Sequence, residues 1–271
     1  MSVSLRCYST SLGCPKNRVD TERLLGSLGV ALVPVESPDE AELVFINTCA
    51  FIQPATEESV RTIAQAIADI EELPKRPLLA VAGCLVGRYH AEDLAPELPE
   101  VDLWLDNSDL EAWPAMLARK LGLPEPTVPG RILSTGPSYA WLKISDGCRH
   151  ACSFCAIPNI RGGHRSHCKD MIVREARALL DQGVKELNLV AQDLTEWGCD
   201  LDGKQDLRTL LDGLLPLPGL ERLRLMYLYP AGMTHEMLKY LREAGKPFVP
   251  YFDVPVQHSH PDVLSRMGRP F

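Results

Sequence analysis

With 271 residues, 45% of them hydrophobic and 24% charged, the chain is long enough to bury one or two cores and too apolar to stay disordered. No apolar run approaches the ~20 residues that a membrane-spanning helix requires, and the N-terminus MSVSLRCYST lacks the apolar stretch of a secretion signal, so the expectation is a cytoplasmic protein with no membrane partner. The net charge of −8 argues against a broad phosphate-binding surface, which draws its affinity from clustered Lys and Arg. It makes a basic protein an easier partner than bare nucleic acid, although a local basic groove on an acidic body remains compatible with RNA.

In chain order, a first strand is expected near Leu5 to Ser9, and LVFI at 43–46 and LLAVA at 78–82 read as buried strands. Between the last two, Val60, Ile63, Ile67 and Ile70 recur at spacings of three and four and place a helix there. Such alternation favours an α/β domain over 1–122, an open parallel sheet with flanking helices. Residues 123–137 hold clustered Pro and Gly without helical periodicity and read as a linker. A second α/β alternation fills 138–271, with strands expected in AWLKI (140–144), ELNLVA (186–191), RLRLMYL (222–228) and PYFDVPV (250–256). Its helices show as the stripe Ile172, Val173, Ala176, Leu179, Leu180, as Leu207, Leu210, Leu211, Leu214, Leu215, and as a segment from Thr234 to Gly245 that Pro247 follows. Four βα units suggest part of a barrel, and a further short helix from Asp262 to Met267 gives the expectation of a chain truncated at its C-terminus.

Nine cysteines in a reducing compartment are not a disulfide framework, so their positions carry the chemistry. Cys148, Cys152 and Cys155 form C-x3-C-x2-C directly after an expected strand. Three thiolates in one tight loop can ligate three irons of a four-iron cluster and leave the fourth open to an exogenous ligand. An open iron chelated by the amino and carboxylate groups of S-adenosylmethionine would let an electron enter the adjacent sulfonium and release a carbon radical. The competing reading is a structural zinc site with His150 or Cys168 as fourth ligand, but no second pair of ligands matches the loop.

This pattern, with the aromatic Phe154 before the third cysteine, resembles the radical S-adenosylmethionine superfamily. The resemblance implies a partial (β/α)6 barrel with the cluster at its top and cofactor contacts from Phe154, Gln192 and Asp193. Gln192 and Asp193 equally suit the cap of a following helix.

Cys14, Cys49 and Cys84 are each 35 residues apart, and each follows an expected strand. Parallel strands in an open α/β sheet bring their carboxyl ends to one edge, where ligands bind, so the three thiols are expected to converge; taken singly, each reads as a core cysteine. Their contexts SLGCPKN, INTCAF and AGCLVGRY, together with CSFCAIPNIRGGHRSH and YFDVPVQHSHPDVLSRMGRP, resemble the methylthiotransferases. The resemblance implies a second, auxiliary [4Fe-4S] cluster on Cys14, Cys49 and Cys84, and thus two clusters with S-adenosylmethionine as cofactor. SLGCPKN, FINTCAFIQPATEES and AIPNIRG look like the branch that adds a methylthio group to the β-carbon of an aspartate in ribosomal protein uS12. The partner implied is the small ribosomal subunit, with an electron donor and a sulfur donor still to be named. Two rival readings are a methylthiotransferase acting on a hypermodified adenosine of transfer RNA and a non-catalytic zinc or RNA-binding module. The chain departs from the family pattern at His167-Cys168 and at Trp197-Gly198-Cys199, neither of them a ligand position.

Four further residues are candidates for the substrate cavity: Arg161 and Arg165, which alternatively sit in a solvated loop, and Gln257 and His258, which alternatively form a polar turn. Cys7, Cys168 and Cys199 read as buried or surface thiols without a ligand role.

Overall fold

The buried strand runs of the N-terminal half come together as one parallel sheet in the computed structural model, which describes residues 4–269. The chain divides into two units, the first comprising the chain through Ser134 together with Asn159–Arg161 and the second comprising Thr135–Pro158 and the chain from Gly162 onward. In the first unit the strands are β1 (Ser4–Ser11), β2 (Ala31–Pro34), β3 (Leu43–Thr48), β4 (Leu78–Gly83) and β5 (Leu103–Leu105), in the order β2-β1-β3-β4-β5. Helices α1 (Pro15–Ser27), α2 (Gln53–Glu71), α3 (Cys84–Tyr89), α4 (Ala91–Leu94) and α5 (Trp113–Leu121) connect them. All six residues of β3 are buried, as a continuous apolar run covered on both faces requires. Leu5, Leu43, Phe45, Ala80, Ala82 and Leu105 of the sheet pack with Leu24, Leu25 and Leu28 and with Trp113 and Leu117 in one core. The sheet reverses its direction of growth between β1 and β3, which creates a crevice at the carboxyl ends of those strands.

Two sequence expectations shift in this unit. The buried face of α2 is Thr56, Ser59, Ile63, Ala66 and Ile70, while Val60 is exposed and Ile67 only half-buried. The helix turns two small polar residues inward near its start, so the apolar pattern alone misplaces the stripe by one position. The stretch read as a linker is tied down near its end, at Arg131 and Ser134. Arg131 pairs with Glu22 of α1 at 2.6 Å, and the Ser134 amide and hydroxyl donate to the same carboxylate at 2.9 and 2.6 Å.

The second unit has strands β6 (Tyr139–Lys143), β7 (Ser145–Asp146), β8 (Arg165–Ser166), β9 (Glu186–Val190), β10 (Arg222–Leu225) and β11 (Phe248–Phe252). Four of them form a parallel sheet in the order β11-β10-β9-β6, and β7 pairs with β8 antiparallel. The helices, counting on from α6 (Ile157–Arg161), whose last three residues belong to the first unit, are α7 (Lys169–Asp181), α8 (Leu207–Leu214), α9 (His235–Ala244) and α10 (Pro261–Arg266). Here sequential strands are neighbours, the arrangement of a barrel wall, in contrast to the reversing order of the first unit. β10 ends sooner than its apolar run because Tyr227 takes a positive φ of 65°, and β11 stops at Phe252, ahead of Pro255. α9 is capped by Thr234, whose hydroxyl accepts from the Met237 amide at 3.2 Å. Among the described residues no helix is long and apolar enough to cross a membrane.

Candidate functional site

Three thiols gather at the carboxyl edge of the first sheet, on either side of the point where its strand order reverses. Cys14 occupies the N-cap position of α1 after β1, Cys49 follows β3 directly, and Cys84 opens α3 straight after β4. The approach is close: at Gly13, with φ +80°, an added Cβ would lie 2.6 Å from the Cys49 sulfur, so only glycine suits this turn. Ser59 of α2 fixes Cys49, accepting from its amide at 3.0 Å and donating to its carbonyl at 2.7 Å. Asn17 of α1 knits the strand ends, donating to the Leu12 and Thr48 carbonyls at 2.9 and 2.7 Å, while its carbonyl oxygen accepts from the Cys84 thiol at 3.7 Å.

Two buried cations share this site. Lys16 and Arg161 are each almost fully enclosed, and Arg161 pairs with Asp20 at 3.1 Å and donates to Asn17. Burial works against ionisation of Cys14, but Lys16, Arg161 and the amides of Asn17 and Lys16 outweigh it and hold the thiol below its ordinary value. Burial lowers Lys16, against the opposing pull of Cys14, Cys84 and Asp20. The Cys49 thiol is pushed up by burial and further by Cys84 and Cys14. Cys49 therefore senses the charge of both other thiols. Three soft sulfur donors with two buried cations suit an anionic thiolate-ligated metal cluster, since sulfur ligands select such centres and buried negative charge demands compensation.

The second triad lies in the loop after β7. Cys148 donates its amide to the Gly162 carbonyl at 3.2 Å, Cys155 to Cys152 at 3.0 Å, and Ser153 to Met267 at 3.0 Å. Burial pushes the Cys148 thiol up, and Asp193, Cys155 and Cys152 add to the effect. Cys155 is likewise raised by burial and by Cys152, with Arg269 pulling the other way. These three sulfurs also converge, and the set fits a cluster that offers positive iron to otherwise repelling thiolates. Beneath the loop, Lys143 of β6 pairs with Asp146 of β7 at 2.9 Å with both side chains buried, and His167 faces Asp146 and the Lys143 carbonyl at 3.1 Å each. The departure from the family pattern at His167 thus has a structural place, and Trp197 Nε1 donates to the His167 carbonyl at 3.0 Å.

The remaining candidates distribute unevenly. Asp193 takes the capping role that sequence offered: one carboxylate oxygen accepts from the Thr195 amide at 2.8 Å and caps the short turn at 194–196, while the other meets His150 Nε2 at 2.7 Å. Gln192 is half-buried next to it, and Phe154 is 47% exposed at the mouth of the loop. Arg161 is in a helix among first-unit residues, not in a solvated loop. Arg165 is exposed in β8. Gln257, at φ 66°, and His258 are exposed, and His258 Nδ1 accepts from the His260 amide at 2.9 Å as a polar turn would have it. For the zinc alternative, His150 Nε2 is engaged by Asp193 and Cys168 stands exposed at the N-cap of α7.

Sequence reasoning missed Lys16, Tyr229 and Arg269. Lys16 lies inside SLGCPKN and Arg269 inside RMGRP, but nothing in a linear pattern says that a lysine is buried. It also missed two groups whose ligand-type atoms lie within 4.8 Å of one another, His164 with Cys199 and Asp200, and His150 with Asp193 and Glu196.

Residues 6–106 match the Uncharacterized protein family UPF0004 and residues 142–270 match the Radical SAM superfamily. The chain is 70% identical over 97% of its length to ribosomal protein uS12 methylthiotransferase RimO of Nitratidesulfovibrio vulgaris and 60% identical over 100% of its length to that of Lawsonia intracellularis, covering 61% and 62% of those relatives. The RimO protein of Aquifex aeolicus is 47% identical over 96% of the chain. The chain thus spans about 61% of the length of the curated relatives it matches. Among solved structures, the radical S-adenosylmethionine methyltransferase TsrM from Kitasatospora setae superposes with a TM-score of 0.65 at 14% identity, covering 97% of this chain and 60% of that one. The cobalamin-dependent radical enzyme OxsB gives 0.57 at 12% identity over 98% of this chain and 45% of that one; at such identities the likeness shows the fold alone. With two domain matches in tandem, the chain is similar along nearly its whole length, at 60–70% identity, to the ribosomal protein uS12 methylthiotransferases of which it spans 61–62%.

Proposed function

We propose that the chain inserts a methylthio group at the β-carbon of an aspartate in ribosomal protein uS12, using two [4Fe-4S] clusters and S-adenosylmethionine. The observation that carries the reading is the pair of three-thiol sets, one complete within each unit: three ligands per four-iron cluster leave one iron open at each site. When bound, the Cys148, Cys152, Cys155 cluster supplies the electron for reductive cleavage of S-adenosylmethionine, and the Cys14, Cys49, Cys84 cluster supplies an iron site for the sulfur to be transferred.

The chain's own residues supply position and charge. Lys16 and Arg161 offset the negative charge of the first thiol set, and the bond between His150 and Asp193 orients the second loop against the strand end after β9. Phe154, Gln192 and Asp193 are assigned to contact with S-adenosylmethionine, the exposed ring of Phe154 offering a stacking face at the loop mouth. Arg165, Gln257 and His258 remain exposed to meet the macromolecular substrate. The net charge of −8 suits a basic ribosomal protein. The reaction is assigned to the cytoplasm, with electron and sulfur donors drawn from the cell.

The test is anaerobic reconstitution with iron and sulfide, followed by incubation with small ribosomal subunits, S-adenosylmethionine and a reductant. Mass spectrometry should find one methylthio group added to uS12. Unmodified uS12 alongside modified transfer RNA would overturn the substrate assignment, and a protein that binds zinc and no iron would overturn the chemistry.

A further inference from the structure

The segment after α10 closes onto the second cysteine loop at three successive residues. The Met267 carbonyl accepts from the Ser153 amide at 3.0 Å. Gly268, at φ +66°, runs so near the loop that an added Cβ would lie 2.7 Å from the Ala151 carbonyl oxygen. Arg269 then donates from Nη1 to the Cys152 sulfur at 3.5 Å and from Nη2 to the Pro255 carbonyl at 2.8 Å. Its guanidinium also lies over the Tyr229 ring, 4.4 Å from the centroid, and the other face of Tyr229 stacks on His150 at 4.1 Å with planes 14° apart. His150 in turn is held by Asp193. Arg269 is 5% exposed, so its charge acts on Cys152 with little solvent screening.

We propose that Arg269 is the positioning residue of this loop, fixing the Cys152 sulfur with a charge-assisted N–H···S bond and thereby raising the reduction potential of the cluster held there. The inference rests on the reading that Cys148, Cys152 and Cys155 hold a [4Fe-4S] cluster. Hydrogen bonds to cluster sulfurs and the net charge around a cluster set its potential, and a fixed cation favours the form that carries one more electron. Tyr229 and His150 hold the guanidinium flat, a geometry that a flexible lysine does not reproduce.

The test uses the full chain with Cys14, Cys49 and Cys84 replaced by Ala, so that a single cluster gives the signal, reconstituted anaerobically and titrated with dithionite under electron paramagnetic resonance. Arg269→Gln should bind as much iron as the parent and show a reduction equilibrium at least tenfold less favourable, 59 mV lower for one electron. Tyr229→Phe, which keeps the stacking face, should leave the potential where it was. A full iron complement in Arg269→Gln with an unshifted potential would overturn the proposal. Should that variant bind no iron, Arg269→Lys takes its place: iron retained at a potential between the parent value and one tenfold less favourable supports the assignment, and iron lost from both variants, or an unshifted potential, overturns it. A parent protein that holds no iron at all would instead sink the cluster reading itself.

Discussion

Arg161 and Asp20 face each other at 3.1 Å with both side chains 2% exposed, although 141 residues separate them. The pair joins the end of α6 to α1 within the first unit and lies beside Cys14, whose ionisation Arg161 favours. A buried guanidinium so placed serves the thiols only while its own charge is matched.

Asp20→Asn should therefore be costly. Removing one partner of a buried pair leaves an uncompensated charge, a loss of about 3–5 kcal/mol, and here Lys16 adds a second cation close by. Urea unfolding followed by a first-unit probe such as Trp113, which is buried in that core, should show the transition moved to lower denaturant. An Asp20→Asn protein as stable as the parent would mean that solvent or a thiolate already balances Arg161.

Much of this architecture is legible in the residues. The runs LVFI and LLAVA become β3 and β4 because continuous apolar stretches of that length suit only a strand covered on both faces, and the equal placement of Cys14, Cys49 and Cys84 after strands brings them to one edge. Position after a strand end is a property of topology, and topology is what alternation predicts. What stays hidden is long-range pairing. The linker's hold on Glu22, the transfer of Arg161 to the first unit and the stack of Arg269, Tyr229 and His150 join residues far apart in sequence. Charged residues also defeat hydropathy patterning: Lys16 and Lys143 are both buried, which no periodicity reveals.

The Lys143 and Asp146 pair predicts a second graded loss. Lys143 is 1% exposed and its ammonium lies 2.9 Å from Asp146, with His167 on the same carboxylate. Asp146→Ala should destabilise the second unit by about 3–5 kcal/mol. The double change Lys143→Met with Asp146→Leu should recover a large part of that, because hydrophobic replacement of a whole buried pair is often neutral. Chemical denaturation of the three proteins separates the outcomes; a double variant no better than Asp146→Ala would point to the His167 contact as the dominant one.

Cys7 supplies a pH dependence. Burial in β1 pushes its thiol from 9.0 up to about 12, so the folded state holds the proton where the unfolded chain has released it. The stabilisation is whole below pH 9 and is lost as pH rises from there through about 12, an amount on the order of 4 kcal/mol at 1.36 kcal/mol per unit. The stability difference between parent and Cys7→Ala should hold constant below pH 9 and narrow steadily from there towards about pH 12. A constant difference would show that Cys7 ionises in the folded protein without penalty. Iodoacetamide at pH 8 gives an independent check, since the thiolate is the reactive form: Cys168 and Cys199, both exposed, should alkylate well before Cys7.

Metal content divides the two thiol sets. Two four-iron clusters correspond to about eight irons per chain. Replacing Cys14, Cys49 and Cys84 together should leave about half of that, because the second triad is complete within its own unit and second-unit backbone groups brace its loop. Replacing Cys148, Cys152 and Cys155 should likewise leave about half, but should also abolish reductive cleavage of S-adenosylmethionine, which the first replacement should spare. Treatment with an iron chelator under air should remove both clusters and the cleavage activity together, and the freed Cys14 thiol, held below its ordinary value by Lys16 and Arg161, should then alkylate near neutral pH more readily than Cys49, Cys148 and Cys155, whose thiols burial pushes up. Iron assay, chromatographic detection of the cleaved nucleoside and mass-spectrometric mapping of the alkylated cysteines read out the three outcomes separately. Loss of all iron from either triple variant would mean that the two sites do not load independently.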